Sequence, residues 1–352
     1  MNTRMLGISA MMVVALAAGY GSARLLRSDA LFGDDDSVAQ VSAPPASSSR
    51  ATASATTTLA DHRPPGAVTP TPRSSGTGSK PNATAGGGGT SAGRDYTSTR
   101  VTYAEIPSGP LQFNLIRPTT GSNFPVVIWI HGGGFGPGGL NAAEGFEDDF
   151  TSQGYAIAAL AYRSLLDGLF PAQIEDVKGA IRYLRSESAS LNIDPDRIFL
   201  LGTSSGGLLS SLAGVTGDEQ YAGTTGGHSG VSSEVAGVVD LFGSVTKATF
   251  DRLSPTIIPT TYELFGCEVR TSCPDRAKLP IDSYITRDDP PFLIIHGTDD
   301  ETVPYEGSVE LQGLLERAGV EATLLTGDGY GHDKEGLITL YLDEILSFLD
   351  SH

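Results

Sequence analysis

The run Arg197-Ile198-Phe199-Leu200-Leu201-Gly202-Thr203-Ser204-Ser205-Gly206-Gly207 decides how the chain is read. A short apolar segment ends in Gly-x-Ser-x-Gly, and a helix-like segment follows from Leu208. Strand, sharp turn and helix in that order hold a serine hydroxyl up at the carboxyl end of the strand. The glycines on either side of Ser204 suit the tight backbone this turn needs. The backbone N–H of Ser205 then faces the same side as the first turn of the new helix. In a chain with 44 glycines the pattern alone also describes a plain glycine turn. The remaining parts, and their order, decide between the two.

Other apolar runs flank this one. Val126–Ile130, Tyr155–Leu160, Val235–Leu241, Phe292–Ile295 and Thr323–Leu325 read, with Arg197–Leu201, as six strands. Uninterrupted apolar runs of this length suit strands buried on both faces, as in a parallel sheet covered by helices. Between them, Pro171–Ser186 carries Ile174, Val177, Ile181 and Leu184 at helical spacing, with proline at the start. Gly307–Arg317 and Gly336–Asp350 also read as helices, and residues 101–116 as an opening hairpin. Strand alternating with helix over about 250 residues predicts one α/β domain with a mainly parallel sheet.

Three glycine- or acid-rich loops follow strand ends. His131-Gly132-Gly133-Gly134-Phe135 offers backbone N–H groups to a ligand. His296-Gly297-Thr298-Asp299-Asp300-Glu301-Thr302-Val303-Pro304 offers three carboxylates that can orient an imidazole. Gly327-Asp328-Gly329-Tyr330-Gly331-His332-Asp333 presents a histidine after the last strand. Of the six histidines, His62 and His352 lie near or beyond the ends of the patterned region. His131 and His296 sit where rings usually satisfy backbone groups, and His228 has no acid placed behind it. His332 remains as the base. Serine, then acid, then histidine is the chain order of the α/β-hydrolase triad.

On these motifs the chain resembles the α/β-hydrolases, and within them the branch of bacterial bifunctional feruloyl/acetyl-xylan esterases and hormone-sensitive-lipase-like carboxylesterases. The resemblance runs from about Tyr103 to the C-terminus. It also rests on Tyr162-Arg163, on Phe170-Pro171-Ala172-Gln173-Ile174-Glu175-Asp176, on Asp194-Pro195-Asp196-Arg197-Ile198, and on Asp289-Pro290-Pro291-Phe292 leading into the acid. The family's Asp-x-x-Val-Pro falls on Asp300–Pro304 and selects Asp300 over Asp299 and Glu301. The resemblance implies a Ser204–Asp300–His332 triad and an oxyanion hole from the N–H groups of Gly133, Gly134 and Ser205. It implies a serine esterase that needs no metal or organic cofactor and takes a small-molecule or polymer-linked ester. The chain departs from its relatives at Ser205, where alanine is common, and at Gly243-Ser244-Val245-Thr246, where Gly-Pro-Thr-Asp is common. The first departure reads as a change of small side chain only. Rival readings are a peptidase or aryl-formamidase on the same fold, and a non-catalytic tethered binding module.

The rest of the chain sets context. Residues 1–23 hold one arginine, an apolar run from about Met5 to Ala18 and small residues at 21–23, which reads as a signal peptide or an uncleaved N-terminal membrane anchor. Residues 24–99, rich in Ala, Ser, Thr, Pro and Gly, read as a disordered tether. Its low-complexity part spans roughly 45 Å as a flexible chain. Asn82-Ala83-Thr84 fits a glycosylation acceptor. Residues 100–352 form the folded domain. The expected location is secreted, or tethered at the outer side of the cell membrane. Cys267 and Cys273, in an insertion before the fifth strand, are expected to form a local disulfide that pins a loop beside the pocket. A formal net charge of −18 argues against nucleic acid as a partner. Oligomeric state is not legible.

Overall fold

The computed structural model describes residues 95–352. The expected signal or anchor, the glycosylation triplet and residues 24–94 of the expected tether lie outside the described residues.

The sheet has eight strands: β1 (Tyr96–Ile106), β2 (Gly109–Pro118), β3 (Phe124–Ile130), β4 (Ala156–Leu160), β5 (Ile193–Thr203), β6 (Gly237–Leu241), β7 (Phe292–Gly297) and β8 (Ala322–Gly327). Their spatial order is β1-β2-β4-β3-β5-β6-β7-β8. The opening hairpin β1–β2 is antiparallel, and β2 runs antiparallel to β4. All later pairs are parallel. The fold is therefore the expected α/β one. The domain starts earlier than expected, because Tyr96 to Thr99 pair with Pro118 to Leu115 instead of continuing the tether. Those four residues are short on apolar groups, so only the pairing reveals them.

Helices cover both faces: α1 (Glu147–Thr151), α2 (Ala172–Ser186), α3 (Ser188–Leu191), α4 (Ser205–Val215), α5 (Ile258–Glu263), α6 (Tyr305–Ala318), α7 (Lys334–Leu340) and α8 (Leu342–Ser351). The unbroken apolar reading of β3 now has its cause. Val126, Ile128 and Ile130 face a core shared with Ile174, Val177, Ile181, Leu209 and Leu315 of α2, α4 and α6. Val127 and Trp129 face the opposite core, with Phe150, Leu337, Ile345 and Leu349 of α1, α7 and α8. A strand sandwiched this way has no polar face. Truncating a side chain such as Trp129, which has no exposed surface, costs about 3–5 kcal/mol.

The expected single helix over 336–350 is two helices. Tyr341 leaves helical geometry (φ −117°, ψ 21°). Its ring is buried in the second core, and its hydroxyl donates to the Thr326 carbonyl of β8. That tertiary anchor sets the bend, and helical periodicity alone does not show it. After β4, Arg163 clamps the buried carboxylate of Asp176 on α2 at 2.6 Å, which fixes the loop that leads into that helix.

Candidate active site

Ser204 stands between β5 and α4 with φ +55° and ψ −122°, a conformation that non-glycine residues rarely adopt. Three restraints hold it. Its N–H donates to the Leu241 carbonyl at 2.9 Å, and its own carbonyl accepts from the Leu208 N–H at 3.0 Å. The backbone around it leaves no room for side chains. A Cβ at Gly202 would lie 2.1 Å from the Gly206 carbonyl oxygen, and one at Gly206 would lie 2.1 Å from that of Ile130. The sequence requirement for glycine at both places is therefore one of close approach. Helix α4 starts at Ser205, three residues earlier than the sequence suggested.

The structure brings His332 and Asp300 to this serine. His332 Nε2 lies 2.9 Å from Ser204 Oγ, and His332 Nδ1 lies 2.6 Å from Asp300 Oδ2. A carboxylate can only accept, so Nδ1 carries the hydrogen and Nε2 turns a lone pair to the serine hydroxyl. Asp300 Oδ1 accepts the N–H groups of Thr302 at 2.7 Å and Val303 at 2.9 Å. Burial pushes the Asp300 carboxyl up, but the imidazoles of His296 and His332 and the Val303 N–H outweigh it and hold it well below the usual carboxylate range. The two rival acids stay outside. Asp299 is exposed and accepts from the Thr298 hydroxyl, and Glu301 is exposed as well.

The glycine run packs directly on the turn. A Cβ at Gly132 would lie 2.7 Å from the Thr203 carbonyl oxygen and 3.0 Å from Ser204 Cβ. Gly134, Ser204 and Ser205 line a pocket whose other walls are apolar, among them Leu208, Val245, Ile257 and Leu279. Gly133 is exposed and is not part of that lining. The pocket is small, about 30 Å³. The insertion between β6 and β7 roofs it with α5, which places Thr260 Cγ2 3.7 Å from where a Cβ at Gly134 would stand. The Cys267–Cys273 disulfide, expected from the sequence, is present just beyond α5. Arg276 ties the insertion together. Its guanidinium lies 3.8 Å from the centroid of the Tyr262 ring, and its Nε donates to Thr261 Oγ1 at 3.0 Å.

Three participants escaped the sequence reading. Phe242, at the end of β6, packs its ring 4.4 Å from that of His332. His296 has no exposed surface and puts Nε2 3.2 Å from Asp300 Oδ2. The Ser205 side chain also does more than replace an alanine. Its Oγ accepts the Phe135 N–H at 3.2 Å and is bonded to the Tyr162 hydroxyl, which itself donates to the His131 carbonyl at 3.1 Å. Both ends of the glycine run are thus fastened to Ser205, the residue after Ser204. The signal was present in Tyr162 and Ser205, but their meeting depends on the fold. His131 is stacked on Tyr162 at 4.4 Å, and its Nδ1 lies 2.7 Å from the Gly132 carbonyl. Burial pushes its pKa down.

Known proteins are similar to this chain. Residues 114–315 match the family model described as BD-FAE. Esterase LipC of Mycobacterium tuberculosis is 29% identical over 249 residues, covering 66% of this chain and 59% of that protein. A probable isoprenylcysteine alpha-carbonyl methylesterase of Arabidopsis thaliana is 25% identical, covering 67% and 51%. The chain thus spans little more than half the length of these curated relatives. Among solved structures, a truncated carbohydrate esterase from gut microbiota superposes with a TM-score of 0.66 at 31% identity, covering 74% of this chain and 98% of its own. An acetyl ester-xyloside bifunctional hydrolase from Caldicellulosiruptor lactoaceticus gives a TM-score of 0.59 at 25% identity, covering 72% and 94%. With more than half of its length matched by the family model, the chain belongs to the BD-FAE family of α/β-hydrolases.

Proposed function

We propose that the protein is a serine hydrolase of short-acyl carboxylic esters, working through an acyl-enzyme on Ser204. In this reading His332 Nε2 takes the hydroxyl proton as Ser204 Oγ attacks the ester carbonyl carbon. The N–H groups of Gly133, Gly134 and Ser205 hold the oxyanion, each worth about 3–4 kcal/mol of barrier. Asp300 keeps Nδ1–H in place and stabilises the imidazolium. The proton then passes to the leaving alkoxide, and the alcohol departs. Water, deprotonated by the same nitrogen, attacks the acyl-enzyme and releases the acid.

The observation that carries the reading is the 2.9 Å contact between Ser204 Oγ and His332 Nε2, backed by a buried carboxylate and opening on an apolar pocket. The pocket favours short acyl groups, since it is small and closed beside Ser204 by Leu208, Val245, Ile257 and Leu279. The names of the relatives, an esterase and a probable methylesterase, and of the carbohydrate-esterase neighbour support the reaction class. Export is part of the proposal. It is supported by the leader-like composition of residues 1–23 and by a disulfide, which persists in oxidising compartments.

Ser204→Ala tests the reading. Turnover of 4-nitrophenyl acetate is expected to fall by at least about 1000-fold with an unchanged melting temperature. Retained turnover in a folded variant overturns the assignment.

A further inference from the structure

Behind the Asp300 carboxylate lies a row of buried polar side chains that the ester reading leaves idle. His296 Nε2 faces two acceptors, the Val303 carbonyl at 3.1 Å and Asp300 Oδ2 at 3.2 Å. Its Nδ1 lies 2.6 Å from Ser308 Oγ on α6. Ser308 Oγ is 3.0 Å from Ser244 Oγ, and Ser244 Oγ is 2.7 Å from Asp240 Oδ2 on β6. Asp240, Ser244, Ser308 and His296 have no exposed surface at all. Asp240 receives two further donors, the Ser211 hydroxyl at 3.1 Å and the Gly243 N–H at 2.9 Å.

Donor counting constrains the row. A ring nitrogen that faces two acceptors must carry hydrogen, so His296 has Nε2–H. The other end has two balanced solutions. With Asp240 ionised, Ser244 donates to it, Ser308 donates to Ser244, and His296 Nδ1–H donates to Ser308; the ring is then an imidazolium. With the proton on Asp240, both hydroxyls turn round, Ser308 donates to Nδ1, and the ring is neutral. One proton thus has two end positions, and Nε2–H persists in both. Burial pushes the Asp240 carboxyl up, opposed by Ser244, Gly243 and Ser211.

We infer that His296 is a positioning residue for Asp300: its Nε2–H, secured through Ser308 and Ser244 by Asp240, pins Oδ2 against His332 Nδ1 and weakens its basicity. The inference rests on the ester-hydrolase reading for its kinetic consequence only. The placement of the carboxylate is independent of substrate.

The test compares His296→Leu, which removes the donor, with His296→Gln, which restores an N–H at similar reach. His296→Asn, whose amide ends too short to donate to Asp300, serves as a second variant without this bond if the leucine fails to fold. With 4-nitrophenyl acetate, kcat is expected to fall about 10- to 100-fold in His296→Leu with KM within about twofold, and His296→Gln to recover most of it. The acidic limb of the kcat/KM profile is expected to move to higher pH in His296→Leu, because the freed carboxylate holds the proton on His332 more tightly. A packing role moves neither limb nor the contrast with glutamine. Low-field proton NMR reads the His332 Nδ1–H without turnover, and its resonance is expected to shift in His296→Leu and to return towards the wild-type position in His296→Gln. An unmoved resonance in a folded variant without this bond, or glutamine as impaired as leucine, overturns the inference. A wild-type protein with the expected resonance behaviour but no esterase activity overturns the ester reading and leaves the positioning role standing.

Discussion

The turn that carries Ser204 and the insertion that roofs the pocket are built by different means. Main chain presses on main chain around the turn, with carbonyl oxygens where Cβ atoms at Gly202 and Gly206 would have to go. The insertion between β6 and β7 is held by side chains, through Arg276 on Tyr262, Leu279 in the core and one disulfide. Backbone packing tolerates almost no substitution, whereas side-chain packing can be rebuilt one residue at a time. The placement of Ser204 thus sits in the part of the fold that sequence change can hardly alter. The shape of the pocket beside it sits in the part that it can.

The comparison breaks most readily at the turn. Gly206→Ala drives a methyl group into the Ile130 carbonyl, and is expected to cost about 3 kcal/mol of stability. Activity is expected to fall by about 100-fold or more as the hydroxyl is displaced. Denaturant melts and acetate-ester kinetics check both, and a fully active, fully stable alanine variant would undo the contrast. Next in size is Ser205→Ala, which keeps the backbone donor but leaves the Phe135 N–H without its acceptor. It is expected to lower kcat about 30-fold with little change in KM, since the loosened glycine run serves the oxyanion and not the ground state. An unchanged kcat would show that the run holds itself. The smallest effect belongs to the insertion. Ile257→Ala widens the pocket and is expected to shift the butyrate-to-acetate ratio of kcat/KM about fivefold towards butyrate, with acetate turnover nearly intact. A chain-length panel of nitrophenyl esters measures it, and a collapse of acetate turnover would place the insertion among the rigid parts.

Legibility in the sequence follows the same division. Segments buried on both faces, such as Val126–Ile130 of β3 and Ile198–Leu201 of β5, announce themselves because every residue has to be apolar. Ser204, Asp300 and His332 could be named because each closes a strand with recognisable turn residues and because their order along the chain is informative. The donor from His296 was hidden, since a histidine at a strand end looks alike whether it meets a carbonyl or a carboxylate. The hydroxyl of Ser205 was dismissed as a small change because its partners, Phe135 and Tyr162, lie 70 and 43 positions away in the numbering and meet only in space. The bend at Tyr341 and the early start of β1 were missed for one reason, that each is decided by a partner on another element.

The hairpin β1–β2 adds a mechanical consequence. No residue of the site comes from it, and β1 is the outermost strand, joined to the sheet through β2 alone. Tension arriving through the chain before residue 95 would reach the Tyr96–Pro118 pair first and open the ladder rung by rung. The ladder is not the strand's sole hold, since the Tyr103 ring is buried in the core and its hydroxyl donates to the Ala161 carbonyl at 2.9 Å, so peeling from this end meets that anchor before the strand comes free.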